Sequence, residues 1–128
     1  MRRVVSRVTV LNPLNPSARL TFTGLVDTGA AYLTLPSAWK SQIGPFTSVQ
    51  RIEFETATQQ VVSAEVCGPA QIALEGFRPI YTEVVFLDMQ PADGGYEPLV
   101  GYLPLEQSQA AVDMTGHRLV HTRHVDLK

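Results

Sequence analysis

Asp27 is the residue of this chain best placed to do chemistry. It ends an apolar run, Leu25-Val26, and enters Thr28-Gly29, followed by Ala30-Ala31 and a second β-prone run, Tyr32 to Leu35. A carboxylate carried by a strand into a tight turn has two readings. It can cap its own loop by hydrogen bonding, or it can be aimed at a substrate as an acid or base. A lone Asp is a poor catalyst for amide hydrolysis, which needs water activated by a base and a proton for the leaving group. Two carboxylates a few ångströms apart supply both. They share a proton and titrate as a unit, one deprotonating water while the other polarises the carbonyl. The chain holds a single Asp-Thr-Gly: Asp93-Gly94 lacks the Thr and the apolar strand, and Asp113 sits in a hairpin pattern near the chain end. If Asp27 works in this way, its partner comes most simply from a second copy across a two-fold axis. The shared proton then predicts activity in mildly acid conditions, falling once both carboxylates ionise.

The other reactive types carry less. His117, His121 and His124 have a spacing that suits a helix, but Val120 and Val125 give the pattern of a strand or tail. Without Cys or carboxylate partners at ligand spacing they are read as exposed tail residues, and no metal or organic cofactor is expected. Cys67 reads as a small buried hydrophobe, and Trp39 as core or interface packing. The arginines are scattered and form no stripe, which argues against nucleic acid.

Composition sets the frame. A chain of 128 residues fits one compact domain, 1–128, large enough to fold without staples. It is 45% hydrophobic and 17% charged, which excludes a disordered chain. The formal charge of −2 offers no general footprint for nucleic acid or an anionic membrane. No apolar stretch approaches the roughly 20 residues that span a bilayer, and the basic start is too short and interrupted for a signal peptide. With one cysteine and no disulfide framework, a soluble cytoplasmic protein is the expectation.

The elements that must position Asp27 read mostly as strands. Val4, Val8, Val10 and Leu11 make a first β-rich segment, and two Asn-Pro pairs between Asn12 and Pro16 predict a turn or loop. Ala18 to Val26 is the strand that ends at Asp27. Ser37 predicts an N-cap for a short helix through Gln42, stopped by Gly44-Pro45. Thr47 to Leu74 is a long β region whose polar centre, Glu55 to Gln60, predicts a hairpin tip. Ile80 to Leu87 is a further strand, Pro91 to Gly95 a loop, and Leu99-Val100-Gly101 a brief apolar run. Leu103 to Gln109 predicts a short helix with Pro104 in its first turn. Ala110 to Val120 predicts a hairpin turning at Gly116. Short strands with one or two small helices point to an all-β barrel or sandwich.

Taken in order, Leu25-Val26-Asp27-Thr28-Gly29-Ala30, then Leu99-Val100-Gly101 and the short helix after it, resemble the two markers of the retropepsin-like (retroviral-type) aspartic proteases. The closing hairpin, Val112 to Val120, is similar to the end of such domains in bacterial and archaeal members, and the likeness runs from about residue 20 to about residue 120. It implies an all-β, closed, mostly antiparallel barrel-like domain. It also implies an aspartic endopeptidase that acts as a homodimer on an extended peptide or protein substrate, with no cofactor. Asp27 would be the catalytic carboxylate, Thr28 would hydrogen-bond across the dimer axis beneath the two acids, and Gly29 would let the backbone approach the substrate. The substrate-binding positions would be Ala30 beside the cleft, Ala57, Thr58 and Gln59 at the tip of a covering flap, and Val100 and Gly101 near the active-site loop. The tip has no glycine, unlike many mobile flaps of the family. The chain is also longer than many retroviral members at Gln90 to Glu97 and beyond Val120. Because fold does not fix function, a second reading stands beside the first: a retropepsin-like dimerisation or peptide-binding module without proteolysis.

Overall fold

The computed structural model describes residues 3–55 and 58–122. In chain order the elements are β1 (Val5–Asn12), β2 (Asn15–Val26), β3 (Leu33–Pro36), a 3-10 turn (Ser37–Trp39), α1 (Lys40–Ile43), β4 (Ser48–Glu55) and β5 (Val61–Leu74). After them come β6 (Ile80–Leu87), β7 (Leu99–Val100), α2 (Tyr102–Gln107), β8 (Ala110–Asp113) and β9 (Arg118–His121).

Seven strands form one sheet in the order β1-β2-β7-β3-β6-β5-β4, and β1 also pairs with β5. That last pairing closes six strands into a ring and leaves β4 attached to β5 alone. Closure leaves β4 as the one terminal strand of the seven-stranded sheet. Most neighbours are antiparallel; β2–β7 and β3–β6 are parallel. The ring is the closed, mostly antiparallel β-architecture expected from the sequence, with two short α-helices.

Alternation explains which residues face inward. Along β1 the buried positions are Ser6, Val8, Val10 and Asn12, every second residue. The main core is built by Val8, Val10, Leu33, Leu35, Ile72, Leu74, Val84, Phe86 and Val100, none more than 1% exposed. Each such side chain contributes about 1.5–3 kcal/mol by leaving water. All four residues of β3 are buried because the strand is central, flanked by β7 and β6 and covered on both faces. β5 is long enough to serve two purposes: its first half pairs with β4, and its second half pairs with β1. A register shift between Cys67 and Ala70 separates the halves. Cys67 itself is fully buried in the core, and burial pushes its thiol up from the usual value, so it is held as an inert hydrophobe.

Three local expectations need correction. The Asn12 to Pro16 stretch is not all loop: β1 runs through Asn12, which pairs with Asn15, and only two residues turn. The reason lies far along the chain. Asn12 is 1% exposed, and its amide donates to the carbonyls of Ile43 at 2.8 Å and Pro45 at 2.7 Å, while its Oδ1 accepts the Leu14 N–H. Ser37, in turn, is not an N-cap. The residue before the helical segment is Pro36, and no side chain caps it. The helix expected over Leu103 to Gln109 runs from Tyr102 to Gln107 and ends where Gln109 takes φ 59°.

Asn12→Leu is expected to destabilise the fold by about 2–4 kcal/mol, because buried carbonyls and an N–H lose their partners while no volume is lost. Urea denaturation of the two proteins measures this directly. A loss below about 0.5 kcal/mol would mean that the Asn12 bonds do not hold α1 to the ring.

Candidate active site

Asp27 leaves β2 at a point where the backbone is held from both sides. Leu25 and Val26 pair in parallel with Leu99 and Val100 of β7. The N–H of Leu25 donates to Pro98 O, that of Val26 to Val4 O and that of Asp27 to Val100 O, each at 2.9 Å. Beyond Asp27 the chain turns at once, with Ala30 N–H donating to Asp27 O at 3.1 Å. Inside that turn Gly29 N–H donates to Asp27 Oδ1 at 3.0 Å, which fixes one carboxylate oxygen. The other, Oδ2, has no partner among the described residues, and neither has the hydroxyl of Thr28, an exposed residue. A Cβ on Gly29 would lie 3.2 Å from Asp27 Oδ1. That is tighter than ordinary contact and aimed at the carboxylate.

The turn is held from behind by the residues after β7. Gly101 N–H donates to Tyr32 O at 3.1 Å, Tyr102 N–H to Ala30 O at 2.9 Å and Leu103 N–H to Ala31 O at 2.9 Å. Three successive carbonyls of the loop are thus taken up by the start of α2. Gly101 has to be glycine for this: a Cβ there would sit 2.5 Å from Tyr32 O, 2.6 Å from Ala31 C and 2.7 Å from Ala30 O, all backbone.

The positions singled out in the sequence fall into three places. Asp27, Thr28, Gly29 and Ala30 form the turn, half-buried to exposed. Val100 and Gly101 are buried, behind the loop. Thr58 and Gln59 are exposed between β4 and β5, with Gln59 at φ 64° in the left-handed region usually given to glycine; Ala57 lies outside the described residues. His117 and His121 do not converge with a third ligand. His117 occupies the β8–β9 turn at φ 53°, His121 stacks on Phe77 with centroids 4.2 Å apart, and His124 lies outside the described residues. Among the described residues no group of three His, Cys, Asp or Glu side chains is arranged to hold a metal.

Other residues around the site were not assigned to it by sequence. A groove of ≈ 540 Å³ joins Asp27 and Thr28 to Arg3 and Val4 just before β1, to Val112 of β8 and to Met114 in the turn after it. Arg3 pairs with Glu97 in the segment that leads into β7. Tyr32 packs with Ile52 and Leu87 on a second small cluster of Ala64, Val66 and Val85, which links the loop after Asp27 to the β4–β5 hairpin. Trp39 stands between Phe22 and Tyr96, at centroid distances of 5.3 and 6.1 Å, and so ties the 88–98 segment to β2. No sequence period marks these groups, because each is assembled from separate elements.

Among solved structures, EIAV protease complexed with the inhibitor HBY-793 is similar in fold, with a TM-score of 0.58 over 82% of this chain and 86% of that chain. The fold is retropepsin-like. Sequence identity across that match is 19%, so the likeness is one of architecture. No protein-family model and no curated protein matches the sequence. Among the described residues of this chain, no helix is long and apolar enough to cross a membrane.

Proposed function

We propose that the chain is an aspartic endopeptidase that hydrolyses peptide bonds between two Asp27 carboxylates, one from each subunit of a homodimer. The observation that carries this reading is the Asp27 turn. A strand-borne carboxylate has one oxygen fixed by the Gly29 N–H and the other free of partners among the described residues, in a loop braced by β7 and α2. The retropepsin-like fold supports it by offering a known setting for such a loop. In the dimer one carboxylate takes a proton from water as its oxygen bonds to the scissile carbonyl carbon, while the other, protonated, hydrogen-bonds the carbonyl oxygen. The leaving nitrogen then receives a proton from the pair. Thr28, an exposed residue, would bond across the axis beneath the acids.

The substrate would lie extended, pairing its backbone with strand edges, under the β4–β5 hairpin, which carries Thr58 and Gln59 between its strands. Ala30 would line the cleft. The β8–β9 hairpin that follows α2 favours the single-domain bacterial and archaeal type, and the lone buried Cys67 suits a cytoplasmic setting.

The test is a peptide-library cleavage assay on wild type and Asp27→Asn, each with its mass in solution. A dimer that cleaves, and whose Asn variant does not, supports the proposal. Cleavage unaffected by the substitution would sink it. A wild-type dimer that binds peptides without cutting them is the module reading instead. Cleavage is expected in mildly acid buffer and should fall as rising pH removes the shared proton, which an initial-rate profile against pH reads.

A further inference from the structure

We propose that Lys40 and Glu65 form a positioning latch, which ties the base of the β4–β5 hairpin to α1 and which Arg51 releases by taking Glu65 in place of Lys40. Its effect on cleavage rests on the endopeptidase reading; the latch itself does not.

Topology puts Glu65 at the point where the hairpin leaves the ring. β5 pairs with β6 from Ile72 back to Ala64, which lies opposite Leu87, and no further. Val61, Val62 and Ser63 pair with β4 alone, and β4 has no neighbour except β5. Beyond Ala64 the hairpin is therefore carried by β5 without help from the ring. Lys40 Nζ donates to Glu65 Oε1 at this point, at 2.9 Å. It does so from a fixed support, since the carbonyl of Ile43 in α1 is held by the Asn12 amide. Only 25% and 29% of the two side-chain surfaces are exposed, so the pair is screened less than one on the open surface. The opposite face of the same stretch is held differently. Neighbouring residues of a strand point to opposite sides, and Ala64, with Ile52 across from it, packs with Tyr32 and Leu87. That contact is apolar and non-directional, whereas the Lys40 contact fixes one position.

Glu65 has a second cation, and this one belongs to the hairpin. Arg51 stands directly opposite it on β4, which brings their Cβ atoms to about 4.5–5.5 Å. None of the ion pairs among the described residues uses Arg51. A cavity of ≈ 150 Å³ lined by Ser37, Arg51, Ser63, Glu65 and Asp88 leaves the two side chains room to meet. Glu65 can exchange a partner on the body of the protein for one that travels with the hairpin, and its charge is paired in both arrangements.

Cys67 reports the exchange. It follows Glu65 by two residues and so points to the same side; it is fully buried, and it is the one cysteine of the chain. The experiment measures how fast excess dithiobis-nitrobenzoate modifies folded wild type, Lys40→Met, Arg51→Met and the double swap of Lys40→Glu with Glu65→Lys. KM and kcat on one cleaved peptide are measured beside it, and circular dichroism confirms that each protein is folded. Lys40→Met keeps the apolar stem, and its Cys67 should react at least about five-fold faster. Thiol chemistry alone would act the other way: burial raises the Cys67 pKa, and Lys40 is the charge that lowers it. Arg51→Met should slow the reaction at least about two-fold, because release loses its acceptor. The double swap should stay at or below the wild-type rate. KM of Lys40→Met should rise with kcat nearly unchanged, as expected when binding rather than chemistry is affected. A Lys40→Met rate within about two-fold of wild type overturns the inference. So does an Arg51→Met rate that rises with it, which would mark a hairpin merely weakened by lost charge. Because modification needs no catalysis, opposite responses of Lys40→Met and Arg51→Met in a protein that cuts no peptide leave the latch standing while the protease reading falls. Cleavage by a protein whose Cys67 is indifferent to Lys40 does the reverse.

Discussion

Asp27→Asn is expected to reduce peptide cleavage by at least about 10²–10⁴-fold while leaving the protein folded and dimeric. The substitution removes both acids of every dimer, so neither water activation nor protonation of the leaving group is retained. Structure is spared for a specific reason. The contact that Asp27 makes within its own turn is acceptance of the Gly29 N–H by Oδ1, and an Asn side-chain oxygen accepts the same bond. Half-buried and outside the core, the residue contributes little else to stability, so the urea midpoint should correspond to a change within about 0.5 kcal/mol. Asp27→Glu separates presence of the acid from its placement: it keeps a carboxylate but moves it by one methylene. A loss of roughly 10²-fold is expected from misplacement alone. Initial rates on one cleaved peptide, for the three proteins at equal dimer concentration, give both numbers.

Gly101→Ala is the second large effect, and it acts through the scaffold. The added Cβ would meet three backbone atoms of residues 30 to 32 at 2.5–2.7 Å, and backbone cannot rotate away as a side chain can. Either the loop that carries Asp27 moves or the start of α2 does. Both break the three hydrogen bonds donated by Gly101, Tyr102 and Leu103. Overpacking costs about 1–3 kcal/mol and each lost buried bond about 1 kcal/mol more, so a loss of roughly 3 kcal/mol or more is expected. That is a large share of the stability of a chain this size. Gly29→Ala is the informative contrast. Its added Cβ has one close neighbour, the Asp27 carboxylate oxygen at 3.2 Å. It should therefore fold nearly as well as wild type and lose cleavage, whereas Gly101→Ala loses both. Urea denaturation beside the cleavage assay distinguishes the two patterns; equal stability of Gly101→Ala and wild type would contradict the bracing of the loop.

Sequence carried the local parts of this architecture well. Ile80 to Leu87 was legible because a run of β-branched and aromatic residues between turn signals has few other options, and it is β6 residue for residue. The closing hairpin was legible from Gly116 between two alternating runs. What sequence could not supply was non-local. The β1–β5 pairing that closes the ring, and the parallel β2–β7 pairing that clamps Asp27, join segments whose own residues carry no sign of their partner. Asn12 illustrates the same limit. Its local signal is that of a turn, but its amide is spent on carbonyls 31 and 33 residues further on, and that bond extends the strand.

The candidate site divides in the same way. Asp27, Thr28 and Gly29 stand out because chemistry and turn propensity coincide in adjacent residues. Val100 and Gly101 stand out as a pair, but that they brace the loop from a buried position depends on the β7–α2 geometry. Met114 and Arg3 carry no signal at all. An exposed turn residue and an N-terminal basic residue gain meaning when the fold sets them on one groove with Asp27.

The claim on which everything else depends is that one active site uses two Asp27 residues. It is tested most directly by letting wild-type and Asp27→Asn subunits exchange freely and measuring the cleavage rate against the wild-type fraction. If each site needs both carboxylates, an equal mixture retains about a quarter of the wild-type rate, and the curve follows the square of the fraction. A straight line, with about half of the rate left in the equal mixture, would show that each subunit works alone, and about three quarters left would show that one Asp27 suffices for the shared site; either would contradict the account.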